Sequence, residues 1–162
     1  MSAQHPYRIG VIGSGEAEAL VVEAAKQVGR AIARAEAVVV CGGLGGVMAA
    51  AAQGAAEQGG QVLGLLPGHD ATAAAPGVSI PVPTGLGEAR NVLVVRASEA
   101  VVAVAGGWGT LSEASFCMKL GVPLVGLLTE LPAEFAIERF DDPAEAVARA
   151  LERAQARREG LA

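Results

Sequence analysis

The chain has 162 residues, 52% of them apolar and only 18% charged, which is one domain's worth of sequence with ample material for a core. Its formal net charge of −5 and the absence of a basic patch argue against nucleic acid as a partner. Any anion site must therefore be local, made by backbone dipoles and one or two arginines.

Tyr7 to Ile12 reads as a first strand, closing on Gly13-Ser14-Gly15 before a helix with apolar spacing from Glu16 to Arg34. The loop suits a nucleotide or phosphate, but the third glycine of a dinucleotide fingerprint is missing. Val38 to Cys41 is the second strand, followed by Gly42-Gly43-Leu44-Gly45-Gly46 and an alanine-rich helix from about Val47 to Gln58. Four glycines in five residues fit a ligand-facing loop, or close packing of helix on sheet. The charge-free run from Ala37 to Ala56 is broken by these glycines and is no membrane span. The start of the chain has no signal-peptide pattern, so a cytoplasmic protein is expected. Cys41 and Cys117 lack metal or redox spacing and read as small buried hydrophobes.

Gln61 to Leu66 is the third strand, and Pro67 to Gly77 a loop of small residues in which His69 has no partner motif. Ile80 to Pro83 fits a short strand at an edge, because Pro81 and Pro83 cannot donate to a ladder. A helix follows, running to about Ser98. Arg90 lies in its first turns, where a cation opposes the helix dipole and so calls for an anionic partner, either a ligand or a salt-bridging carboxylate.

Val101 to Val104 reads as a strand buried on both faces. It leads into Gly106-Gly107-Trp108-Gly109, and Thr110 opens a helix, so this turn offers free N–H groups to an anion. Glu113 has two readings: Thr110-Leu-Ser-Glu113 matches a capping box, and a carboxylate beside an anion site also suits chemistry. Trp108, the only tryptophan, fits equally a ring-stacking platform and a subunit contact. Gly121 reads as a C-cap, Pro123 to Leu128 as a buried strand and Ile137 to Phe140 as a short last one. Asp142-Pro143-Ala144-Glu145 starts a closing helix with Asp142 as N-cap. Strands alternating with helices throughout predict a single α/β domain, residues 1–162, on a doubly wound parallel sheet. All three glycine loops would then emerge at one sheet edge, at the strands' C-terminal ends.

The segments CGGLGGVMAAAAQGA, PTGLGEARNVLVVRASEAVVAVAGGWGTLSEA and KLGVPLVGL resemble the DprA-related, molybdenum-cofactor-carrier-like proteins, which share a three-layer Rossmann-like fold with the LONELY GUY phosphoribohydrolases. The resemblance implies a homodimer or homotetramer binding a small phosphorylated ligand. Gly106, Gly107, Gly109, Thr110 and Glu113 match the hydrolases' P-G-G-x-G-T-x-x-E motif, and Arg90 matches their upstream arginine. In that reading the glycine loop holds a 5′-phosphate, and Glu113 with Arg90 cleaves a nucleoside monophosphate to base and ribose 5-phosphate. Ala105 in place of the motif's proline and Asn91 in place of a lysine resemble the carrier branch instead, whose cargo is molybdenum cofactor, a phosphorylated pterin. No lysine stands in a setting that suggests a pyridoxal-linked decarboxylase.

Overall fold

A computed structural model describes residues 5–161. Seven strands form one parallel sheet in the order β4-β3-β2-β1-β5-β6-β7: β1 Arg8–Gly13, β2 Val38–Cys41, β3 Val62–Leu66, β4 Ile80–Pro83, β5 Ala100–Val104, β6 Leu124–Leu127 and β7 Glu138–Phe140. Every pairing is parallel. The helices are α1 Ala19–Arg34, α2 Gly46–Glu57, α3 Asn91–Ala97, α4 Trp108–Leu120 and α5 Pro143–Arg158. No helix among the described residues is long and apolar enough to cross a membrane.

Two cores sandwich the sheet and give it three layers. On one face Ile9, Val11, Val39, Val102 and Val104 pack against α1, α2 and α5. On the other, Ile12, Val40, Val101 and Ala103 pack against α3 and α4. The interior strand β5 is buried at all five positions, which is why its sequence is an unbroken apolar run rather than an alternating one. Both prolines of β4 lie at the sheet's edge, as their missing N–H groups require. Asp142 caps α5, accepting from the Glu145 N–H at 2.9 Å.

The first two helices meet closely because glycine lets them. A Cβ on Gly54 would collide with the Lys26 carbonyl, and one on Gly29 with the Ala51 carbonyl. Gly54→Ala must push two backbones apart and is expected to cost about 2 kcal/mol of stability in a urea titration.

The chain runs outward from β1 through β2 and β3 to β4, then crosses back to β5 on the other side of β1 and runs outward again to β7. The β1–β5 boundary is therefore the switch point, where successive loops diverge and leave a crevice beyond the strand ends. The loops after β1 and β5 flank it.

Candidate functional site

The crevice holds a cavity of about 140 Å³ whose lining includes Gly13, Gly15, Met48, Arg90, Asn91, Gly109 and Glu113. The loops at 13–15 and 106–109 meet here with the arginine and carboxylate, and Gly42 of the third loop lies against Arg90. A larger hollow of about 940 Å³ runs along α1 and α2, lined by small residues such as Ala49, Ala50 and Gly77. The buried charged side chains, Arg90 and Glu113, both line the smaller one.

Arg90 closes a short 3-10 turn, Gly87–Arg90, just before α3. Its side chain is 7% exposed, yet no described carboxylate pairs with it within 4 Å. The salt-bridge alternative thus fails. Nη1 donates to Asn91 Oδ1 at 3.1 Å, and Asn91 Nδ2 reaches Ser112 Oγ at 3.4 Å. Asn91, noticeable in the sequence only as a departure from a lysine, thus ties the guanidinium to α4; a lysine could not accept that bond. Arg90 Nε is buried with no partner. Such an orphan is costly unless something else satisfies it.

Thr110 and Glu113 do not form a capping box. Helix α4 starts at Trp108, with Gly107 as N-cap and no side-chain cap, so Thr110 is already the third helical residue and Trp108 and Gly109 belong to the first turn. Thr110 is 1% exposed and its Oγ1 is unpartnered. Glu113 is 6% exposed. Burial pushes its carboxyl up to about 7, against a smaller downward pull from Arg90. A group titrating there can hold or release a proton at neutral pH.

The turn between β5 and α4 supplies donors. Leu111 N–H reaches the Gly107 carbonyl at 2.9 Å, but the N–H groups of Gly106, Gly107, Trp108, Gly109 and Thr110 find no acceptor among the described residues. Free amides at the positive end of a helix favour a negative charge nearby. The unpartnered, fully buried Thr110 hydroxyl lies in the same turn.

Most of the other loop glycines have packing reasons, Gly15 excepted. A Cβ at Gly42 would run into Arg90 Nη1, one at Gly13 would meet the Val47 side chain at 2.6 Å, and one at Gly46 would strike the Ser14 carbonyl. Gly43 has φ 75° and its Cβ position lies 2.8 Å from Leu66. Gly45, exposed, lies against the Gly15 carbonyl. The Ser14 carbonyl accepts from Val47 N–H at 3.0 Å, and Ser14 Oγ from Glu16 N–H at 3.3 Å. The loops at 13–15 and 42–46 are thus locked to each other, and Gly42 makes room for the guanidinium.

Ala105, just before the Gly106–Thr110 turn, has φ 49°, and its N–H donates to the Leu127 carbonyl at 3.0 Å. Proline, fixed near −65° and lacking the N–H, could not occupy this position. Ala105→Gly is expected to relieve the left-handed strain and raise stability by about 0.5–1 kcal/mol, read from its melting midpoint.

Trp108 does not line the Arg90 cavity. It is 88% exposed on the far side of the α4 start, over a separate hollow. His69 is exposed beside Gly85, away from the cavity lining. Cys41 and Cys117 are buried and unbonded, their thiols pushed up by burial to about 11 and about 12. Among the described residues no three or more His, Cys, Asp or Glu side chains gather to hold a metal.

Residues 6–156 match the model of the SLOG cluster4 family. The chain belongs to that family. Similar solved structures include the molybdenum cofactor binding protein of Rippkaea orientalis, at 33% identity and a TM-score of 0.86, covering 93% of this chain and 98% of that one. The Moco carrier protein of Chlamydomonas reinhardtii is similar at 35% identity and a TM-score of 0.82, covering 94% and 99%. An uncharacterized protein of Archaeoglobus fulgidus is 39% identical over 140 residues, 86% of this chain and 91% of its own length. The family assignment agrees with the resemblance carried by the glycine motifs, and the seven-stranded parallel sheet is the expected Rossmann-like fold.

Proposed function

We propose that this SLOG cluster4 protein is a carrier that binds a phosphorylated pterin-type ligand such as molybdenum cofactor. The observation that carries the reading is the set of unsatisfied groups around the start of α4 and the adjoining Arg90 cavity: the amides of Gly106 to Thr110, Thr110 Oγ1 and Arg90 Nε. A phosphate would offer acceptors to donors of this kind, and its charge suits both the helix start and the guanidinium. The solved relatives named for binding or carrying this cofactor match nearly the whole of both chains, which supports the cargo class. The cofactor is cargo in this reading, so the residues need only hold it and exclude solvent. Gly106 to Thr110 would take the phosphate, with Arg90 beside it.

A second reading has its own support. Glu113 titrates near neutrality beside a buried arginine, as a phosphoribohydrolase would use to stabilise positive charge building on a ribose and to help a water attack. Against it stands the backbone at Ala105, which takes a path closed to that motif's proline.

The test is retention. Purified protein is mixed with cofactor released from a molybdoenzyme, passed through gel filtration, and assayed for the oxidised, fluorescent pterin. Co-elution in the carrier, with no free base released from a panel of nucleoside 5′-monophosphates, is the expected result. Base release without pterin retention would reverse the two readings.

A further inference from the structure

The second hollow, on the far side of the α4 start, encloses about 280 Å³. That is just below the ~300–1,000 Å³ of pockets that take a whole small molecule, room for one ring system. Trp108 stands at its mouth, Leu111 lines it, and the segment Glu130-Leu131-Pro132 after β6 forms its wall. An indole left 88% exposed forgoes substantial burial energy, on the order of 2 kcal/mol or more.

The wall is not a loose loop. Arg139, on edge strand β7, donates to three carbonyls of this segment: Leu131 at 2.9 Å, Pro132 at 3.1 Å and Thr129 at 3.4 Å. Thr129 Oγ1 donates to the Ala105 carbonyl at 2.9 Å and accepts from Leu131 N–H at 3.2 Å. Leu131 itself is buried, anchoring the segment in the α3–α4 core. The wall is thereby fastened to the residue that begins the glycine turn, so hollow and amide cradle are held in fixed relation. Glu130 lines the hollow with no described ion-pair partner, the only carboxylate there.

We infer that this hollow is a ring subsite: Trp108 stacks on a flat heterocycle and Glu130 accepts from its adjacent N–H groups, while the ligand's phosphate lies on the Gly106–Thr110 amides. The inference rests on the phosphate cradle proposed above and adds what selects the rest of the ligand. A carboxylate pairs two oxygens with two neighbouring donors, so it favours the 2-amino-4-oxopyrimidine edge shared by guanine and pterins. Adenine lacks that donor pair.

Three probes separate the contributions: GMP, AMP and ribose 5-phosphate. Because Trp108 is the sole tryptophan, its fluorescence reports on the hollow directly. GMP is expected to quench it saturably, and ribose 5-phosphate to displace GMP without quenching. By calorimetry AMP binds about tenfold more weakly than GMP, Trp108→Ala loses about tenfold more affinity for GMP than for ribose 5-phosphate, and Glu130→Gln removes the GMP preference. Equal binding of GMP and AMP by the wild type, or GMP affinity kept in Trp108→Ala, overturns the ring subsite. If Trp108→Ala instead breaks an oligomer apart in sedimentation while GMP affinity persists, the indole is a subunit contact. Ribose 5-phosphate failing to bind the wild type at all removes the phosphate cradle itself, a different failure.

Discussion

Glu113→Gln is expected to make the empty protein more stable at pH 8, by up to about 3 kcal/mol. The carboxyl's value in the fold is about 7 against an ordinary 4.5, because burial disfavours the charged form more than Arg90 favours it. Each unit of difference corresponds to ~1.4 kcal/mol, which sets the upper limit. The folded state holds this proton longer than the unfolded chain does. The contribution of Glu113 to wild-type stability is therefore fully present below about pH 4.5, falls between there and 7, and is gone above. Glutamine has nearly the same shape and never ionises, so the two proteins should melt alike at pH 4 and separate as pH rises. At ~2–4 °C per kcal/mol the gap above pH 8 is up to about 6–12 °C in melting temperature. Equal melting at pH 8 would mean that the carboxylate is solvated, contrary to its 6% exposure. A stability cost maintained at one buried carboxylate is what a functional site displays, and a cap would show the opposite sign.

Arg90→Met is expected to weaken binding of a phosphorylated ligand by about 30- to 100-fold while leaving the empty fold intact. The magnitude is that of one or two charge-assisted hydrogen bonds, ~1.5–3 kcal/mol. Methionine fills much of the volume beside Gly42 and Met48 without placing an unpartnered Nε in the interior. Its melting temperature should equal or exceed that of the wild type at pH 5, where Glu113 is protonated. The same change removes the cation that holds Glu113 down, so the carboxyl should titrate above its present value of about 7 in carbon NMR. A variant that keeps its ligand affinity would place the phosphate away from Arg90.

Much of this architecture is readable before folding. The apolar run at Val101–Val104, the prolines of β4 and the Asp142-Pro143 start of α5 each carry a local signal strong enough to survive the tertiary context. The convergence of the glycine loops follows from strand–helix alternation alone, since loops after parallel strands share an edge. The T-x-x-E pattern at Thr110 misleads because side-chain type does not decide where α4 begins. The backbone leaving β5 turns at Ala105 with φ 49° and reaches helical geometry two residues earlier, at Trp108. The role of Gly42 is equally hidden, since it depends on a guanidinium 48 positions away in the chain. The wall of the second hollow has no local signature at all. Thr129 and Arg139 act on backbone carbonyls, and no residue pattern announces an arginine whose partners are main-chain oxygens.

A ligand phosphate resting on the free amides at the start of α4, next to Arg90, would be detectable amide by amide. At 16.2 kDa the chain suits amide-resolved NMR, and a titration with ribose 5-phosphate would locate the anion residue by residue. Saturable shifts at the N–H groups of Gly106 to Thr110, with Arg90 Nε–H moving along the same isotherm, are what this structure predicts. Shifts confined to the arginines near the end of α5, with the Gly106–Thr110 amides unmoved, would contradict it.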